Sequence, residues 1–306
     1  MSKLDVLADE RSFDRYRSER AARIEKYLDA YLPAEDTPPA TISRAVRYSL
    51  FAGGKRLRPI LVLASAESVG GNIDEALPAA AALEMIHTYS LIHDDLPAMD
   101  DDSLRRGQPT SHVVFGEAIA ILAGDALQTH AFRVLSAPRG GSRVPAERRL
   151  RAVAVLAEAA GASGMVGGQV ADLESERRPA NAETLEFIHR HKTGALIRAA
   201  AEMGALMGGA DERNVGRLRR FGEEIGLAFQ IVDDILDVEG SSAVLGKSAG
   251  KDAKAGKATY PGVHGIDAAR ARAKELTESA LSRVASLGQA AHPLVALARR
   301  AVNRTC

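Results

Sequence analysis

Apolar residues recur at steps of three and four along almost every long segment of this chain, the spacing that keeps one face of an α-helix dry. Runs of β-branched residues are few. The spacing predicts helices over 12–31, 56–69, 74–95, 112–135, 147–173, 182–207, 211–238 and 267–287, one capped by Thr41, and a short one after Pro293. Pro33 closes the first, and no helix interior accommodates Pro38-Pro39. The breaks at Gly70-Gly71-Asn72, Pro138 to Pro145, Pro179 and Gly208-Gly209 are short, and a longer Gly- and Lys-rich loop runs from Gly240 to Gly265. None resembles an interdomain linker, and no internal repeat is visible. The expectation is an all-α fold, a single domain over 1–306, built as a helical bundle of roughly ten helices.

A chain of 306 residues is long enough to enclose a deep pocket. Forty Lys and Arg against forty Asp and Glu give a formal net charge of zero, so no global field points toward nucleic acid or an anionic membrane. A polyanion has to be met by local clusters. Aromatic residues make up 4% and Trp is absent, which argues against stacking platforms for nucleic acid. No apolar run reaches membrane-spanning length: even 152–171 contains Glu158 and several glycines. Lys3, Asp5, Asp9, Glu10, Arg11 and Asp14 interrupt any export signal at the start. The one cysteine, Cys306, excludes an internal disulfide and a Cys-rich zinc site, and it fits a reducing compartment. A cytoplasmic protein without nucleic-acid or membrane partners is expected.

The densest charge cluster is Asp94-Asp95-Leu96-Pro97-Ala98-Met99-Asp100-Asp101-Asp102. Unit charges about 6 Å apart repel by about 3 kcal/mol at an effective dielectric near 20, so such a cluster is either a solvated loop or a cation site. A second cluster, Gln230-Ile231-Val232-Asp233-Asp234-Ile235-Leu236-Asp237, favours the cation. Asp233 and Asp237 lie one helical turn apart, beside apolar residues where unpaired charge is costly. Neither cluster has the calcium-loop pattern with its central Gly, so magnesium shared between carboxylates and substrate phosphates is the better fit.

Cations for those phosphates stand at Gly53-Gly54-Lys55-Arg56-Leu57-Arg58-Pro59, where a helix start also favours an anion, although a basic cap is the plainer alternative. Arg105-Arg106-Gly107 follows the first acidic cluster. Lys192-Thr193-Gly194, Lys247, Lys251 and Lys257 add donors, each by itself an ordinary surface lysine.

The order GGKRLRP, EMIHTYSLIHDDLPAMDDDSLRRG, HKTG, AFQIVDDILD and GKSAGKDAKAGKATY resembles the trans-isoprenyl diphosphate synthases, particularly bacterial farnesyl diphosphate synthases, over about residues 40 to 265. The resemblance implies helices around a central cavity, a homodimer, and condensation of an allylic diphosphate with isopentenyl diphosphate. It implies three Mg2+ ions held by Asp94, Asp100 and Asp233, with Asp95, Asp234 and Asp237 behind them. The allylic diphosphate falls to Arg105, Lys192 and Lys247, with Lys257 at the rim. Thr193 and Gln230 face the nascent cation. Isopentenyl diphosphate falls to Lys55, Arg58, His87 and Arg106, with Phe229 against its hydrocarbon. Gln169 and Asp172 resemble a family feature near the cavity.

Some assignments have rivals in plain geometry. Asp94 and Asp100 are six apart, about 240° around a regular helix, so Asp101 lies nearer the same face unless Pro97 makes a bulge. The resemblance favours Asp100. His87 shares a face with Leu83, Ser90, Leu91 and Asp94 and reads as a core histidine until the motif is considered. His93, His189 and His191 read as structural. Tyr89, five residues and about 7.5 Å before Asp94, with the small Ser90 beside it, resembles the floor that stops growth at fifteen carbons. As ordinary core it would point about 140° away from Asp94. Farnesyl diphosphate is the expected product, with geranyl or geranylgeranyl diphosphate as alternatives. A class I terpene cyclase would not need the second diphosphate site at Lys55, Arg58 and Arg106, and a non-catalytic synthase subunit would not need intact aspartates in both clusters.

Overall fold

The computed structural model describes residues 10–138, 140–175, 181–239 and 259–302. Among these the fold is all-α apart from one two-residue hairpin. The helices are α1 (Glu10–Tyr31), α2 (Ala40–Leu50), α3 (Leu57–Ser68), α4 (Ile73–Asp94), α5 (Ser111–Phe115), α6 (Glu117–Ser136) and α7 (Ala146–Ala160). They continue as α8 (Met165–Ser175), α9 (Ala182–Ile188), α10 (Gly194–Met207), α11 (Glu212–Glu239), α12 (Tyr260–His264), α13 (Ile266–Val284) and α14 (His292–Val302). A π turn, His189–Thr193, joins α9 to α10, and a 3₁₀ segment, Ala285–Ala291, joins α13 to α14.

α4 is the central strut. Asn72 caps it by accepting the Asp74 N–H, and 14 of its 22 residues are buried, including the run Ala76–Ile86. A helix apolar on every side belongs inside a bundle. The four consecutive alanines 79–82 keep it slim, and α3, α6 and α10 pack around it. α10 in turn touches α3, α7 and α11, while α11 lies along α13. A second buried cluster joins α11 to α12 and α13 through Ile231, Ile235, Leu236, Tyr260 and Leu276.

Three expected helices are divided and a fourth ends three residues early. The pattern over 112–135 breaks at Gly116, which has φ 83°. That over 147–173 breaks between α7 and α8, where a Cβ on Gly164 would lie 2.2 Å from the Ala159 carbonyl oxygen. The stretch Ala146–Ser175 is long and apolar enough to cross a membrane by composition, yet it folds as these two helices of 15 and 11 residues. The pattern over 182–207 is interrupted by the π turn, and that over 267–287 by the 3₁₀ segment. Unforeseen in the sequence, Leu104–Arg105 pairs antiparallel with Gln108–Pro109. Its two-residue turn, Arg106-Gly107, has φ of 54° and 77°, the left-handed pair that a tight hairpin requires.

Candidate active site

A cavity of about 650 Å³ opens where the C-terminal end of α4 meets α8, α9, the π turn and α11. α4 stops at Asp94, and the chain folds back so that the Asp100 N–H donates to the Asp94 carbonyl at 2.8 Å. This helix end replaces the bulge expected within a continuing helix. It brings Asp94 and Asp100 together in the cavity wall, whereas Asp101 is exposed, takes φ 48° and is absent from that wall.

Burial pushes the Asp94 carboxyl up to about 6; Lys192 draws it down and Asp100 pushes it further up. An acid raised in this way is one whose charge wants a cation. Asp95 is buried and turned away: its carboxylate accepts Arg105 Nε at 2.7 and 2.9 Å and pairs with Nη2 at 2.5 Å. Arg105, also in the cavity wall, is thereby aimed by the neighbour of Asp94.

The opposite wall comes from α11 and the π turn. Gln230, Asp233 and Asp234 line the cavity, as do Lys192 and Thr193. The Thr193 hydroxyl donates to Gln230 Oε1 at 3.0 Å, and Gln230 Nε2 lies 3.5 Å from Asp233 Oδ2. Lys192 Nζ donates to Asp172 Oδ2 at 2.6 Å. Gly168 lets α8 come this close, since a Cβ there would meet the Lys192 backbone nitrogen at 2.1 Å. Asp234 accepts the Tyr260 N–H at 2.7 Å and lies 3.2 Å from Nε2 of the buried His189. Asp237, one turn further, is half-buried and outside the cavity wall.

On the basic side, Arg58 and His87 line the cavity with 3.4 Å between Arg58 Nη1 and His87 Nε2. Burial, reinforced by Arg58 and Arg106, holds His87 well below its ordinary range, so the ring is neutral. Arg106 Nη1 donates to the Gly53 carbonyl. Lys55 is exposed beyond the cavity wall, and Phe229 packs half-buried on the main core instead of lining the cavity. Arg56, counted among three cations in the sequence motif, turns inward and is buried. Lys247, Lys251 and Lys257 lie outside the described residues.

Tyr89 and Ser90 do line the cavity. The Tyr89 hydroxyl is buried without a hydrogen-bond partner among the described residues, its ring meets His93 edge-on at 5.6 Å, and burial and Asp94 raise its pKa. Sequence reasoning did not identify three contributors: Asp172 as the partner of Lys192, His189 as the partner of Asp234, and an apolar wall on α8. That wall carries Val166, Val170 and Leu173 at steps of four and three, a helical stripe that the sequence does contain. No group of three or more His, Cys, Asp or Glu side chains is gathered as a ready-made metal centre among the described residues. Asp94, Asp100 and Asp233 instead offer separate hard oxygen donors around one space, which fits Mg2+, an ion that keeps waters and shares substrate phosphates.

Residues 39–293 match the family model for polyprenyl synthetases. A geranylgeranyl diphosphate synthase from Cyanophora paradoxa is 49% identical over 290 residues, covering 94% of this chain and 95% of the relative. A dimethylallyltranstransferase from Fischerella ambigua is 50% identical over 291 residues, covering 95% and 83%. Among solved structures, an FPP/GFPP synthase from Zymomonas mobilis superposes with a TM-score of 0.85 at 38% identity, covering 95% of this chain and 98% of its own.

Proposed function

This chain belongs to the polyprenyl synthetase family and is a prenyltransferase, and from that premise we propose that it condenses isopentenyl diphosphate with allylic diphosphates to make geranylgeranyl diphosphate. The observation that carries the condensation is the meeting of Asp94 and Asp100 with Asp233 around one cavity, beside Arg105 and Lys192. Asp94, Asp100 and Asp233 would hold three Mg2+ ions, with Asp234 and Asp237 behind Asp233. Bound there, the metal would neutralise the allylic diphosphate and supply Lewis acidity to its departure.

The protein's own groups do the rest. Arg105, fixed by Asp95, and Lys192, fixed by Asp172, bind the allylic diphosphate with Lys247 and Lys257. Their charge-assisted contacts strengthen as negative charge develops on the leaving oxygen. Thr193 and Gln230, bonded to each other, present oxygens to the allylic carbocation without a nucleophile strong enough to trap it. Apolar α8 side chains limit water. Arg58, Arg106, Lys55 and neutral His87 orient isopentenyl diphosphate so that its alkene attacks the cation. That attack leaves a tertiary cation, and the departing diphosphate takes a proton from the carbon beside it, which restores a double bond, so no protein base is required.

The names of the relatives support a twenty-carbon product better than the fifteen carbons expected from the tyrosine. Farnesyl diphosphate remains the second reading because Tyr89 stands in the cavity wall. We place the enzyme, read as one domain, in the cytoplasm as a homodimer, although six of its relatives are described as chloroplastic. Purified protein incubated with labelled isopentenyl diphosphate and the C5, C10 or C15 allylic primer, with Mg2+ or a chelator, tests the proposal by product size. Metal-dependent chain elongation supports it; cyclic hydrocarbons, or no product from any primer, would sink it.

A further inference from the structure

One arginine of the basic motif faces away from the cavity. The Arg56 side chain is 1% exposed and that of Glu84 is 3% exposed. Arg56 Nη1 pairs with Glu84 Oε1 at 2.6 Å, Nη2 donates to the Leu50 carbonyl at 2.6 Å, and Nε lies 3.4 Å from Glu25 Oε1. All three guanidinium nitrogens are engaged, a planar fork that lysine does not reproduce.

The backbone explains why such an anchor is needed. Arg56 takes φ 50°, and Gly53 and Gly54 before it take 86° and 122°. L-residues keep a left-handed backbone only where the surroundings over-determine it. This turn has a use: a Cβ on Gly54 would lie 2.6–2.9 Å from the Arg106 guanidinium, so the arginine rests directly on the loop and donates to the Gly53 carbonyl. Glu84 stands three residues before His87 on α4, and Arg58 follows Arg56 by two residues. The buried pair therefore joins the loop under Arg106 to the helix that carries His87.

We infer that Arg56, through its buried pair with Glu84, is a positioning residue for the isopentenyl diphosphate pocket. It holds residues 53–56 in the shape that presents Lys55, Arg58 and Arg106 to the second diphosphate. The inference rests on the function proposed above. Substrate specificity of the effect separates it from a merely structural role, because Lys192 and Asp233 of the allylic site lie on the π turn and α11, and Arg105 is fixed separately by Asp95.

Two variants of the full-length protein test this: Arg56→Lys, and the double variant Arg56→Met with Glu84→Leu. Each is assayed for both Michaelis constants and kcat, for isopentenyl diphosphate binding by calorimetry, and for its thermal midpoint. Replacing a buried ion pair by apolar groups of similar size commonly leaves stability intact, so the double variant should fold. The expected result in both variants is a rise of about tenfold in KM and Kd for isopentenyl diphosphate, with the allylic KM and kcat within about twofold of wild type. Unchanged isopentenyl diphosphate binding in a folded variant, or equal rises in both Michaelis constants, overturns the inference. If the double variant does not fold, Arg56→Lys decides by the same split. Absence of isopentenyl diphosphate binding to wild type would instead defeat the reading of the pocket itself.

Discussion

Asp94 carries an energetic conflict that a metal-free enzyme cannot relieve. Its carboxyl titrates at about 6 in the fold against an ordinary 3.8, so the folded state binds that proton more tightly than the unfolded chain does. The stabilisation from the protonated form is complete below 3.8 and is lost as pH rises through 6. At neutral pH the ionised group therefore costs at most about 3 kcal/mol, and less for the edge that faces the open cavity. Asp94→Asn should abolish turnover yet raise the thermal midpoint of the chelator-treated protein, by a margin that grows between pH 4 and 7. Parallel melting curves in EDTA across that range check it. Across the cavity, Arg58→Ala and Arg106→Ala each remove a bidentate phosphate donor, about 1.5–3 kcal/mol for a charge-assisted bond, or roughly ten- to a hundredfold. That loss should fall on the KM for isopentenyl diphosphate more than on the allylic one, which initial-rate kinetics with each substrate varied in turn would read.

At the scale of elements, the site depends on how closely α8 and α4 approach their neighbours. Gly168→Ala would force its new methyl into the Lys192 backbone, so overpacking of about 1–3 kcal/mol and a loss of activity are expected. Denaturant midpoints and kcat together would register both. Tyr89 and His93 both line the cavity, and His93 Nε2 lies 3.1 Å from the Ile121 carbonyl on α6. Removing the tyrosine ring in Tyr89→Ala should open space toward α6 and lengthen the products, as chromatography of the labelled chains would reveal. The helices themselves were readable because their apolar spacing is local. Their ends were harder: Gly161 to Gly164 break α7 from α8 without a proline, and strands of two residues at 104–109 are too short for any period. The choice between Asp100 and Asp101 turned on where α4 stops, which the spacing of 3.6 residues per turn does not encode. The inward turn of Arg56 depends on Glu84, 28 residues away, a pairing that only tertiary structure supplies.

For the whole molecule, zero net charge and a low aromatic content turn attention from global fields to local clusters. Those clusters, with the motifs around them, were the most legible part of the site. One surface remains unaccounted for within a single chain: Val113, Val114, Ile121 and Leu122 on α5 and α6 are all more than two-fifths exposed. Exposed apolar side chains on these two packed helices would be covered by the second copy of the chain proposed above. Ile121→Glu with Leu122→Glu should shift the sedimenting species toward monomer at micromolar concentration, with wild type sedimenting as a dimer.

α4 has one more consequence, for how such a protein can vary. Glu84, His87, Tyr89, Ser90 and Asp94 ride on one uninterrupted rod, so their separations are set by covalent geometry, not by adjustable packing. Gaining or losing one residue between Glu84 and Asp94 would rotate everything beyond it by about 100° and shift it about 1.5 Å. Arg56 and the proposed second-diphosphate pocket, chain ruler and first metal site would fall out of phase together. Descendants of this sequence are thus free to exchange side chains along that stretch and to lengthen the loops at either end, but its residue count is frozen like the tooth count of a gear.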